Sequence, residues 1–210
     1  TTLFRSVVCA ASLIPFFLHN VFGQASKMFI GDGGTLLMGC VMSIFVLNVL
    51  KSETLCSQYC EWGIGLVPFS LAVLCIPVFD TVRVMTMRIL HGTSPFHADK
   101  THLHHLFIEM GFSHIGTTVS ILLLNCLVVL GWYISYKCGA SIDVQLYVVI
   151  ALSLLVTVGV YYGMRYCGNR DLPLYRLMQR IGKNTHVERK GFFLWLQKIL
   201  DKNFSSLNQG

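Results

Sequence analysis

Charged side chains are what this sequence has least of. Of its 210 residues, 12% are Asp, Glu, Lys or Arg, against about 25% in an ordinary soluble domain. Acidic residues are the scarcer kind, 10 against 16 Lys and Arg, for a net charge of +6. That deficit excludes an ordinary globular enzyme, a disordered chain, and a nucleic-acid-binding protein driven by bulk charge. No secretory leader is visible either: the opening segment is already apolar, with no basic stretch and no small-residue cleavage site. Residue 1 is Thr, so an N-terminal part ahead of it is expected. What the chain does have is hydrocarbon, 54% hydrophobic residues and a mean hydropathy of +0.62, gathered in long blocks. The implied class is an all-α, polytopic integral membrane protein.

A bilayer-crossing helix needs about 20 apolar residues. Five segments approach that length: Val7–Phe22, Gly34–Leu50, Ile64–Phe79, Thr117–Tyr136 and Val144–Gly163. The first and third are short and hold Pro15, and Pro68 with Pro77. A kinked or broken helix is expected there, its freed carbonyls satisfied by neighbouring helices. Residues 1–163 then form a membrane domain, and 164–210 a basic tail. Lys and Arg decide the orientation. One side of the alternating loops holds Lys27, Arg83, Arg88, Lys100, Arg165 and every later basic residue; the other holds only Arg5, Lys51 and Lys137. The basic side is expected in the cytoplasm of a bacterial inner membrane, with the C-terminus. Within the tail, apolar residues at 192, 193, 196, 199 and 200 have helical spacing among lysines and suggest a helix lying on the inner leaflet. Gly159-Val-Tyr-Tyr-Gly163 matches a small-xxx-small helix-packing pattern.

Of the eight cysteines, Cys9, Cys40, Cys75 and Cys126 fall within spans and read as small packing residues. Cys56 and Cys60 share a loop on the other side, where a bridge and two free thiols are both open.

Two segments on the basic side carry more chemistry than a connecting loop requires. Phe29-Ile-Gly-Asp-Gly-Gly-Thr35 stands directly before the second span. Its glycines, Gly31 and Gly34 among them, let backbone approach a ligand, and the following helix presents free N–H groups. Asp32 there either holds a Mg²⁺ that bridges phosphate oxygens or simply caps the helix. The second segment runs from Asp80 through Arg83, Arg88, His91, His97, Asp99 and Lys100 to His102-Leu-His104-His105, with five of the eight histidines inside fifteen residues. Asp80 and Arg83, three apart, read as an i,i+3 ion pair at a helix end. Arg88 is the better candidate for a phosphate. On a helix His102 and His105 share a face while His104 points elsewhere, so one helix cannot aim all three at a single metal. Imidazoles and cations together suit an anion such as a diphosphate at least as well. His19 reads as an interface residue, and His114 and His186 as surface.

These two motifs, in this order, resemble those of the polyprenyl-phosphate N-acetylhexosamine-1-phosphate transferases. Phe29 to Thr35 is similar to that family's Phe-x-Gly-Asp-x-Gly-Ser segment. Ser94-Pro-Phe-His-Ala-Asp-Lys-Thr-His-Leu-His-His105, preceded by Pro77-x-x-Asp80 and Arg88, resembles its histidine loop, with the undecaprenyl-phosphate N-acetylglucosamine-1-phosphate branch nearest. The resemblance implies transfer of a UDP-activated N-acetylhexosamine 1-phosphate to undecaprenyl phosphate with release of UMP, as the first membrane step of cell-envelope polysaccharide synthesis. It implies Mg²⁺, with Mn²⁺ as a substitute, held by Asp32. It implies catalytic roles for Asp32, His102, His104 and His105, and substrate contacts from Arg88, Arg83, Lys100, Gly31 and Gly34. The implied partners are the bilayer and the two substrates, without nucleic acid, and a homodimer is admitted.

The sequence departs from the pattern at Gly33-Gly34-Thr35, where the hydroxyl is kept, and at Lys100, which replaces a commoner arginine and loses its bidentate fork. The family's paired aspartates should precede Thr1, so this chain is expected to be the C-terminal half and to be inactive alone. The alternatives are a phospho-N-acetylmuramoyl-pentapeptide transferase, a membrane di-metal hydroxylase or desaturase, and a non-catalytic transporter or scaffold fragment. A di-metal enzyme would need His boxes from several segments. A transporter would need polar residues mid-span, where these spans read as almost wholly apolar.

Overall fold

The computed structural model describes residues 2–22, 31–95, 101–185, 191, 194–195, 198–199 and 201, and among them every regular element is helical. The chain divides into two compact units, 1–39 with 187–210, and 40–186. In the first unit, α1 (Thr2–Phe22) is continuous through Pro15. Helix α2 (Gly31–Leu50) passes from the first unit into the second.

The second unit holds α3 (Glu53–Glu61), α4 (Leu66–Val73), α5 (Thr81–Leu90), α6 (Leu103–Glu109), α7 (His114–Lys137), α8 (Ile142–Leu154), α9 (Val160–Asn169) and α10 (Pro173–Asn184). A π turn, Ile76–Asp80, leads into α5, and another, Leu155–Gly159, joins α8 to α9 as one helix of 28 residues. By length and composition α7 and Ile142–Asn169 each suffice to cross a membrane. Two bent pairs, α2 with α3 at 66° and α4 with Ile76–Leu90 at 70°, could each make one more span, and Ser6–Asn20 of α1 is shorter. The fifth expected span thus continues past Gly163 to Asn169.

The third span breaks beside its last proline, whereas Pro68 lies in the first turn of α4. Pro77 lies in the π turn and has no N–H to give. The groups released at the bend are taken up by Asn125 on α7: its Oδ1 accepts from the Ile76 N–H at 3.3 Å, and its Nδ2 donates to the carbonyls of Ala72 (3.4 Å) and Val73 (3.1 Å). A neighbouring helix satisfies the broken one, as the prolines led us to expect. The expectation of almost wholly apolar mid-spans needs correction. Besides Asn125 in the fourth span, the fully buried Gln145, Ser153 and Thr157 lie within the last one. Gln145 donates to Gly63 O (2.7 Å) and Ala140 O (3.0 Å) and accepts from Gly65 N–H (3.2 Å). Asn125, Gln145 and Thr157 serve backbone, Thr157 Oγ1 donating to Ser153 O at 2.7 Å, and none of the four is charged, which is why charge counting gave no sign of them.

Leu122, Leu123, Leu127, Leu130 and Ile134 of α7, with Leu154 and Leu155, leave apolar surface exposed, as a lipid-facing belt requires. The tail begins with an amphipathic helix that the sequence reading passed over. On α10, Tyr175, Met178 and the buried Gly182 face the core, while Leu174, Leu177 and Ile181 are exposed. Its C-terminal end is fastened to the start of α7, where Ser113 N–H donates to Thr185 Oγ1 (3.0 Å) and Ser113 Oγ to Thr185 O (2.9 Å). A Cβ on Gly182 would lie 3.0 Å from Met110 O, so only glycine seats this helix. Of the interfacial helix expected near 191–200, residues 192, 193, 196 and 200 lie outside the described residues, and the described Leu194 and Trp195 are helical and exposed. Cys56 and Cys60 both lie on α3 as free thiols.

Asn125→Leu keeps the side-chain volume and removes all three bonds at the bend. We expect a loss of about 1–2 kcal/mol in unfolding free energy in mixed micelles. An unchanged unfolding midpoint would show that the bend closes its own hydrogen bonds.

Candidate functional site

The site is built around one carboxylate. The π turn ends at Asp80, and α5 carries Arg83 one turn further on. Both side chains are buried, Asp80 5% and Arg83 6% exposed. Oδ1 of Asp80 accepts from Arg83 Nε at 3.1 Å and Nη2 at 2.6 Å. Oδ2 accepts from His102 Nδ1 at 3.0 Å and from the Leu103 N–H at 3.1 Å. An ionised carboxylate can only accept, so His102 carries its proton on Nδ1, leaving Nε2 as the edge for another partner. Arg83 Nη2 also donates to Thr101 O at 2.7 Å, and its guanidinium carbon lies 3.9 Å from the centre of the Tyr161 ring on α9. The expected Asp80–Arg83 pair is present, and it does more than end a helix: it holds the start of the histidine segment.

The histidines are arranged differently from the helical reading. His102 is outside α6, as its N-cap, with extended backbone at φ −63° and ψ 152°. Helical bearings therefore do not apply to it. The rings of His102 and His104 are 5.8 Å apart and nearly parallel, and those of His104 and His105 are 4.1 Å apart. The three imidazoles form a row rather than pointing apart. His104 stands in the middle. Partial enclosure of its ring, then the neighbouring His105 and His102, hold its pKa below the ordinary imidazole value, and Asp80 opposes them.

Arg88 stands in the last turn of α5, where its Nη1 donates to Pro95 O at 2.6 Å, and Thr93 N–H donates to Arg88 O. Those contacts tie it to the Ser94-Pro95 stretch of the loop. His97, Asp99 and Lys100 lie outside the described residues. Gly31 opens α2, and Asp32 and Gly34 lie in its first turn; the Asp32 side chain is outside the described part. Among the described residues no three His, Cys, Asp or Glu side chains converge as a metal-binding set. His114, expected at the surface, is exposed, whereas His186 is not described.

Two groups near the site were not singled out from the sequence. Arg165 on α9 pairs with Glu109 at the end of α6, Nη1 to Oε2 at 2.9 Å. Beside them Phe107, Leu124, Leu155, Gly159, Gly163 and Met178 are among the residues that line an apolar groove of about 520 Å³. The two glycines were expected to pack a helix. Among the described residues, nothing lies within 4 Å of a Cβ placed on Gly163, and a Cβ on Gly159 meets Leu155 Cγ at 3.8 Å.

Fold and site together define a class: an all-helical membrane protein whose broken span presents a row of imidazoles on a buried Asp–Arg pair. Curated relatives agree with the motif resemblance. The chain is 26% identical over 182 residues to an undecaprenyl-phosphate alpha-N-acetylglucosaminyl 1-phosphate transferase of Salmonella typhi, and 27% over 187 residues to the protein of that name from Escherichia coli K12. Each match covers 86% of this chain and 46% of the relative, so the chain spans about half the length of these relatives. A decaprenyl-phosphate N-acetylglucosaminephosphotransferase of Mycobacterium leprae is 34% identical over 118 residues, 52% of this chain and 28% of that protein. No family model matches the chain, and no solved structure does.

A folded-state pKa below the unfolded value means that His104 favours the folded protein above the ordinary imidazole range and opposes it as pH falls through that range. His105→Gln removes one repulsive neighbour. By ¹H–¹⁵N NMR the His104 ring should then titrate at higher pH, nearer free imidazole, and an unmoved titration would remove His105 from the causes, leaving enclosure and His102.

Proposed function

We propose that this chain carries the histidine-loop half of a phosphoglycosyltransferase. The reaction moves N-acetylglucosamine 1-phosphate from a UDP-sugar to undecaprenyl phosphate and releases UMP. It is the first membrane step of an envelope polysaccharide, run on the cytoplasmic face of the inner membrane. The observation that carries this reading is the carboxylate-held His102 at the head of an imidazole row, on a chain similar to transferases of that name.

The residues supply positioning and charge rather than covalent chemistry, which suits phosphoryl transfer. His102 is held by Nδ1 and offers Nε2 to a diphosphate oxygen. His104 and His105 extend the row along an elongated anion. Arg88, seated at the loop, and Lys100 add cations for the phosphates, and the motif resemblance adds Gly31 and Gly34 as substrate contacts. Arg83 contributes through Asp80, its guanidinium being engaged there and at Thr101. The apolar groove beside α9 gives an isoprenoid chain a dry wall.

The chemistry of Asp32, a hard oxygen donor in the glycine-rich first turn of α2, suits Mg²⁺ bound partly through substrate phosphates. When bound, the ion neutralises charge on the diphosphate. Asp80, committed to four donors, is not available to a metal.

The test is UMP release by the full-length protein supplied with UDP-N-acetylglucosamine and undecaprenyl phosphate. Asp32→Asn should lower turnover by about 100-fold or more with membrane insertion unchanged, and Mg²⁺ alone should reverse EDTA inhibition. Near-normal turnover of the variant at saturating Mg²⁺ would return Asp32 to a capping role. One zinc or iron per chain, lost in His102→Ala, would overturn the phosphate reading. Use of the UDP-muramoyl pentapeptide instead would move the chain to that branch.

A further inference from the structure

We propose that Tyr161, on the last long helix, is a positioning residue for His102 and acts through Arg83. The inference rests on the assignment of His102 to the site, and it concerns a residue outside both sequence motifs. Tyr161 is 7% exposed, and the Arg83 guanidinium carbon sits 3.9 Å from its ring centre. That guanidinium is planar and must serve three neighbours together: Asp80 through Nε and Nη2, Thr101 O through Nη2, and the ring through its face. An aromatic face beneath a desolvated guanidinium fixes the plane of the fork as well as its charge. With the plane fixed, Oδ1 of Asp80 is occupied by Arg83, and Oδ2 is left to take His102 Nδ1 and the Leu103 N–H. Without the ring the fork is free to tilt, Asp80 can turn, and His102 loses the acceptor that sets its tautomer.

The surroundings of Tyr161 support a placed ring rather than generic packing. A second guanidinium, Arg165, lies 5.6 Å from the same ring and reaches across to Glu109 at the other end of the histidine-bearing helix. The last span therefore touches α6 at its far end directly and at its near end through Arg83. Its neighbours Val160 and Met164 line the apolar groove, while Tyr161, itself buried in the apolar core, carries both guanidinia on its ring.

The experiment reads His102 without turnover. Full-length protein labelled with ¹⁵N-histidine is examined by NMR, with His102 assigned by its loss in His102→Gln. The unsubstituted protein should show a single Nδ1–H tautomer. Tyr161→Phe keeps the ring face and should keep that signature. Tyr161→Leu should give mixed tautomers and a kcat lowered by about tenfold. Should the Leu variant fail to fold, a series of progressively fluorinated phenylalanines at 161, matched in shape, weakens the ring's attraction for a cation. Mixed tautomers should then rise with fluorination. An unchanged tautomer across that series, or in a folded Leu variant, overturns the proposal. Because the tautomer is read without substrate, it stands or falls separately from the transferase reading. A normal tautomer response with no UMP release would sink only the latter.

Discussion

The carboxylate of Asp80 is the constraint on which the rest of the site depends. Moving a carboxylate out of water costs several kcal/mol, and the cost is recovered only when its lone pairs are all met by good donors. Here four are supplied, two from Arg83, one from His102 and one from a backbone N–H. Each is a donor the folded chain must bring to the same point, from a helix end and from the start of another helix. The histidine loop is thus docked by the same bonds that make the burial of Asp80 tolerable.

That docking needs the third span to be broken. A straight helix continued from α4 would carry Asp80 and Arg83 on in the direction of the span. The 70° bend and the π turn instead turn the segment toward the loop. Bends in a membrane are tolerated only where the freed backbone is met by protein, and Asn125 meets it. The polar residue in the fourth span and the polar site at the end of the third are two parts of one arrangement.

Much of this was legible in the sequence. Long apolar blocks and the position of Pro77 gave the helices and the break, and three-residue spacing gave the Asp80–Arg83 pair. The direction of the histidines was not legible, because it turned on whether His102 lies inside the helix or caps it. A one-residue difference in the helix start changes where the ring points, and helix ends are the least certain feature of any pattern reading. Tyr161 was invisible for another reason. In a span rich in apolar and aromatic residues, a tyrosine under a guanidinium looks like any other packing residue, and only the fold brings it to Arg83. The stripe of α10, with Leu174, Leu177, Met178 and Ile181 at helical spacing, was legible in the sequence and was simply passed over.

The row of imidazoles carries a consequence of its own. Rings 4.1 and 5.8 Å apart cannot all hold a proton without mutual repulsion, and the middle ring, His104, is the one held below the ordinary range. Such a row presents ring N–H groups as hydrogen-bond donors. An anion lying along it would relieve the repulsion and draw protons onto it, so protonation and anion binding are thermodynamically linked. Asp80 already supplies one end of that compensation, steadying His102 and opposing the shift at His104. At the opposite end, no ion pair among the described residues joins His105 to a carboxylate, so an anion lying along the row would meet an unopposed imidazole there.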